Sequence, residues 1–83
     1  MSGGRFDYKQ HYIDEIADTI EDYLLDPDYK KDFSNDVKYR MKKAVKLLRK
    51  AHIYAQRIDY YMSGDDGEEK FLERLAQELE EIE

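Results

Sequence analysis

DVKYRMKKAVKLLRKAHIYAQRIDYYM, residues 36–62, decides how the rest of the chain is read. Val37, Met41, Ala44, Leu48, Ala51, Ala55, Ile58 and Met62 recur along it at alternating steps of four and three residues. An unbroken seven-residue repeat of this kind is the mark of a helix with one apolar seam. At about 1.5 Å per residue it predicts a rod about 39 Å long. Ser34, Asn35 or Asp36 can cap its start by accepting a bond from a free backbone N–H. Ser63-Gly64 can stop it, because glycine takes the left-handed conformation just past a helix end at little cost. Ala44, Ala51 and Ala55 on the seam leave room for another helix to approach closely.

Working outward, residues 8–25 predict a second helix. Ile13, Ile16, Ala17, Ile20 and Leu24 share one apolar face, with Asp14, Glu15, Asp18, Glu21 and Asp22 around the rest. Asp26-Pro27-Asp28 ends it, since proline excludes the helical conformation from the residue before it. Residues 26–35 read as a connector, with room for a short helical turn around Phe33. On the other side, SGDDGEE spans a hinge at residues 63–67 and the start of a third helix over 68–82. Carboxylates there complement the positive end of the helix dipole, and Phe71, Leu72, Leu75, Leu79 and Ile82 form its apolar stripe. The expected fold is all-α, a single domain of three helices around one long central helix.

The 83 residues leave no space for a second domain, and a chain so short buries a thin core. Hydrophobic residues make up 41% and eight are Tyr, too apolar and aromatic for a disordered tail. The central helix is longer than its neighbours, and Leu47, Tyr54 and Tyr61 add a second column at seven-residue spacing. Oligomerisation, with a homodimer favoured, is the expected way to cover that surplus. No apolar run approaches the roughly 20 residues of a membrane span, so no membrane association is expected. The N-terminal residues lack the apolar core of a signal peptide, which makes a cytoplasmic location the expectation.

Charge is distributed in blocks behind the net value of −6. Residues 1–36 carry four basic and ten acidic side chains, residues 37–62 eight and one, and residues 63–83 two and nine. A basic helix between two acidic ones is neutralised by them. The same pattern leaves two functional readings open. Acidic faces could imitate a nucleic-acid strand, and the basic helix could hold a nucleotide. For the latter, Lys50, Tyr54, Arg57 and Tyr61 lie within neighbouring turns, beside Lys43 and Lys46. Cations next to aromatic rings suit phosphate and base, whereas in a purely structural reading Arg57 pairs with a carboxylate of a neighbouring helix. Direct binding of duplex DNA is not expected, because the acidic flanks repel phosphates.

Catalytic chemistry finds little support. With no Cys, neither a disulfide framework nor a thiolate zinc site is available. His11 and His52 stand apart in sequence, and neither a phosphate-cradling glycine loop nor a serine-nucleophile motif occurs. Glu15-x-x-Asp18 is the nearest approach to the paired carboxylates of magnesium-dependent helical pyrophosphatases, without a second pair to face it. Asp65-Asp66-Gly67-Glu68 lacks the alternating oxygen ligands of a calcium loop. The expectation is a non-enzymatic protein with no metal or other cofactor.

Ser2-Gly3-Gly4-x-Phe6-Asp7-Tyr8-x-Gln10, Ala55-x-Arg57-Ile58-Asp59 and Ser63-Gly64-Asp65-Asp66-Gly67-Glu68-Glu69-x-Phe71 together resemble a family of small uncharacterised proteins carried by bacteriophages and other mobile elements. The likeness spans both ends and departs in the middle connector. It implies a phage or mobile-element accessory protein in a bacterial host cell, which binds a host protein or a nucleotide stoichiometrically and inhibits an antiviral defence. In the nucleotide version, Gly3-Gly4 and Gly64 to Gly67 would supply backbone donors near Tyr54, Arg57 and Tyr61. A nucleic-acid mimic, a structural or assembly protein and a small metal-dependent phosphohydrolase are the alternatives.

Overall fold

Four helices follow one another in a computed structural model that describes Phe6, residues 8–64 and residues 66–82, Lys30 by its backbone alone. They are α1 (Gln10–Leu25), α2 (Pro27–Lys30), α3 (Asn35–Met62) and α4 (Glu68–Ile82). No strand occurs among the described residues, and none of the helices is long and apolar enough to cross a membrane. The fold is all-α, with a long central helix that contacts the first and last helices.

Local chemistry sets each boundary. Of three candidate caps, Ser34 takes the position: its Oγ accepts the Val37 N–H at 3.2 Å, and α3 then runs unbroken for 28 residues. Gly64 closes it at φ 86°, with its N–H on the Tyr61 carbonyl. α1 begins at Gln10 rather than at residue 8, because Tyr8 sits at φ 65°, a left-handed conformation outside any helix. Pro27 ends α1 and also starts α2, where its missing N–H costs nothing. Asp26 caps that single turn by accepting the Asp28 N–H at 2.9 Å. The connector's turn of helix therefore precedes Phe33 instead of surrounding it, and Tyr29 within it meets Tyr23 of α1 edge-on.

α1 and α4 each pack on α3, and the α1 and α4 backbones do not come together. The molecule measures 47 × 24 × 13 Å, the proportions of helices laid side by side rather than closed into a triangle. Its interior is correspondingly small. Among the described residues, Ala17 and Val45 alone are buried apolar side chains, while Gln10, Arg57 and Asp59 are buried polar ones.

The polar contacts of α1 run beside the apolar seam of α3, to Arg49, His52, Gln56 and Asp59, each one residue beyond a seam position. The Arg49 guanidinium reaches Asp14 at 2.7 Å, Asp18 at 2.8 Å and Glu21 at 2.7 Å. Gln10 Nε2 donates to Gln56 Oε1 at 2.7 Å and Asp59 Oδ2 at 3.1 Å, and Gln56 Nε2 donates onward to Tyr60 Oη. Charged and amide groups between two helices must find partners or lose their hydration uncompensated. These pairings line one edge of the apolar seam, which the chain covers only in part. Met41, Ala44, Leu48 and Ala55 are half-buried, and Val37 and Ile58 remain 44% and 37% exposed.

Candidate functional site

The four residues picked from the basic helix fall on the outer side of α3, next to α4, but the structure gives them different roles. Arg57 is buried, with Nη1 3.2 Å from Asp66 Oδ2. Its Nε lies 3.2 Å from Glu78 Oε1, an ion pair in which the N–H does not aim at the oxygen. The guanidinium also stacks 4.8 Å from the centroid of the Tyr60 ring. Its charge ties the hinge and α4 to α3, as the structural reading of Arg57 expected. Tyr61 is likewise drawn to α4, its ring 5.1 Å from Phe71. Tyr54 stays 47% exposed, and Lys50 is half-buried one turn before it.

What remains open lies nearer the start of α3. Tyr39 is exposed, and two cations flank its ring, Arg40 at 5.5 Å and Lys43 at 5.8 Å. Leu47, 58% exposed, and Tyr54 continue toward the C-terminus, so that an aromatic and basic ridge runs along the part of α3 that α4 leaves uncovered. Sequence reasoning passed over Tyr39. Its signal was the four-residue spacing to Lys43, which sets ring and ammonium side by side on a helix.

The acidic candidates are largely spoken for. Asp18, half of the Glu15-x-x-Asp18 pair, is in the Arg49 ion-pair cluster, and Asp66 holds Arg57. Asp14 and Asp18 hold the Arg49 guanidinium above its ordinary pKa through hydrogen bonds, so it is charged at every working pH. Among the described residues no group of three His, Asp or Glu is arranged to hold a metal ion. Gly3, Gly4 and Asp65 lie outside the described residues.

The two histidines, remote in sequence, are brought together. His11 Nδ1 lies 3.1 Å from His52 Nε2, and His52 Nδ1 lies 3.9 Å from Asp14 Oδ1. Tyr8 stacks on His11 from the other side. The arrangement is a bridge between α1 and α3. His11 is exposed, whereas His52 is half-buried and lines a pocket between α3 and α4 with Gln56, Arg57 and Glu78.

Compared with known proteins, the chain matches no family model, no curated protein and no solved structure.

Proposed function

We propose that this is a non-enzymatic binding protein that engages a protein partner stoichiometrically through the outer ridge of α3. The observation that carries the reading is the exposed run Tyr39, Leu47 and Tyr54 with Arg40 and Lys43 around its first ring. Exposed aromatic and arginine side chains on a rigid helix are the groups that dominate the energetics of protein interfaces. The cations favour a partner with an acidic patch. A nucleotide is the weaker ligand class, because the guanidinium best placed for a phosphate, Arg57, is taken up by Asp66 and Glu78.

The biological setting proposed here comes from the resemblance to phage and mobile-element accessory proteins. Within it, the partner is a protein of the bacterial host, and inhibition of an antiviral defence is the function that stoichiometric capture serves. Cytoplasmic action in the host cell belongs to the same proposal.

The test is affinity capture from bacterial lysate, with the wild-type chain beside Tyr39→Ala, Lys43→Glu and Tyr54→Ala. The expected result is one or a few host proteins retained by the wild type and lost from the variants, whose helical circular dichroism is unchanged. Thermal melting with a nucleotide panel runs alongside. A nucleotide at 100 times its dissociation constant adds about 2.7 kcal/mol, and such a shift, abolished by Tyr54→Ala, would replace the protein partner with a nucleotide. Host proteins retained equally by all three variants would rule out the ridge.

A further inference from the structure

The apolar side of α3, which its own chain covers only in part, continues onto α1. At about 3.6 residues per turn, Ile13, Ile16, Ile20 and Tyr23 fall on one flank of α1, and Asp14 and Asp18 on the other. Asp14, Asp18 and Glu21 all reach Arg49, which stands on the flank of α3 away from the seam. Ile16 and its neighbours therefore share the other side of the molecule with Val37, Met41, Ala44, Leu48, Ala51, Ala55 and Ile58. Ile16 is 53% exposed, and Tyr12 and Tyr23 beside it are exposed as well.

This strip has the dimensions and chemistry of an interface. It follows the 28 residues of α3 for about 42 Å and the 16 residues of α1 for about 24 Å, each about 9 Å wide at ordinary interaxial separations. That gives roughly 600 Å² per copy, about 1,200 Å² in all, the lower end of the range for specific protein–protein interfaces. Lys42, Lys43, Lys46 and Lys50 occupy other sides of α3, and Glu15, Asp18 and Asp22 other sides of α1. Arg40 borders it on α3, and Lys9, seven residues before Ile16, at the start of α1. Among the described residues two buried apolar side chains are a slight core, of the kind that small chains complete by association. Whatever covers it must be present whenever the protein is, and another copy of the chain always is.

We propose that the cover is a second copy, packed face to face with the two α3 helices antiparallel. The steps of four and three read the same in both directions about the point between Arg49 and Lys50. Antiparallel pairing sets Leu48 opposite Ala51, Ala44 opposite Ala55, Met41 opposite Ile58 and Val37 opposite Met62. Each central layer then contains at least one alanine, so that no two leucines meet, and larger side chains fill both ends. Parallel pairing would instead insert a Leu48–Leu48 layer between narrow alanine layers, and it would align the helix dipoles unfavourably. Arg49, at the midpoint, binds Asp14 and Asp18, which straddle Ile16. Ile16 is thus level with the two-fold axis and meets its own counterpart. This face adjoins the ridge proposed for partner binding at Arg40 but includes neither Tyr39 nor Tyr54, so either proposal can fail alone.

Two measurements test it. Sedimentation of the full chain should give about twice its 10.0 kDa, and Ile16→Glu should weaken association by at least about tenfold, by placing like charges together at the axis. Because Ile16→Glu could also unfold the chain, cysteine pairing provides the second measurement, in a protein that has no Cys of its own. Ala44→Cys and Ala55→Cys chains, refolded together and oxidised, should form the mixed 44–55 disulfide and little 44–44 product, since bridging requires Cα atoms within about 7 Å. A monomer at millimolar concentration, wild-type association by Ile16→Glu, or a predominant 44–44 product would each overturn the proposal.

Discussion

His11 of α1 and His52 of α3 meet with ring nitrogens 3.1 Å apart, one donating and the other accepting. The contact requires at least one imidazole to be neutral, since two donors cannot share it. His11→Ala and His52→Ala should each cost about 0.5–1.5 kcal/mol, the net worth of one hydrogen bond. The double variant should cost less than the sum of the two. Urea denaturation at one protein concentration checks this, and strict additivity would show that the bridge contributes nothing.

Arg49 gathers three carboxylates of α1, at least one of them well exposed to water. Exposed ion pairs are individually weak, roughly 0–1 kcal/mol each, and salt screens them. Arg49→Gln leaves Asp14, Asp18 and Glu21 facing one another without a cation. The expected loss is about 1–2 kcal/mol in low salt, shrinking as ionic strength rises. An equal loss at low and high salt in parallel urea titrations would contradict an electrostatic origin.

Arg57 differs because it is buried. Removing one member of a buried ion pair strands the other, at a typical cost of about 3–5 kcal/mol. Arg57→Ala should fall toward the lower end of that range, since Glu78 is partly open to water. Its effect should concentrate on α4 and the hinge. Hydrogen exchange should show α4 amides losing protection before those of α1; uniform loss along the chain would exclude a local clamp.

The two glycines of the hinge should respond differently to a methyl group. A Cβ at either position meets nothing within 4 Å, so packing does not distinguish them. Only Gly64 has a left-handed φ, at 86°. Gly64→Ala should therefore cost about 1–2 kcal/mol from conformation alone. Gly67→Ala should be neutral or slightly stabilising, because alanine restricts the unfolded chain. Thermal melts of the two variants decide the matter, and equal effects would place the strain elsewhere.

Much of the helical order was readable from the residues. The seven-residue repeat predicted α3 as one unbroken rod, and Ser34, Pro27 and Gly64 act at its ends and at the end of α1 through backbone chemistry that is local in sequence. The misreadings also have physical causes. Tyr8 was placed inside α1 because periodicity is blind to a single left-handed residue. The turn of helix was expected at Phe33, yet Pro27 and the Asp26 side chain nucleate it six residues earlier.

The candidate site was legible only as a set of residue types. Spacing put Lys50, Tyr54, Arg57 and Tyr61 on neighbouring turns, and they are there. It could not tell that Asp66 and Glu78 would come from the hinge and α4 to occupy Arg57, nor that His11 and His52 would touch.

The sequence by itself determined where helices start, run and stop, because caps, proline, glycine and apolar repeat act within a few residues of one another. Only the tertiary structure decided which side of α3 faces its own chain. That choice depends on pairing across tens of residues, where Arg49 meets three carboxylates and Gln10 meets Gln56 and Asp59 beside the apolar seam. Charged and amide groups are directional and must be matched, whereas an apolar surface can be covered by any apolar neighbour, including one outside the chain.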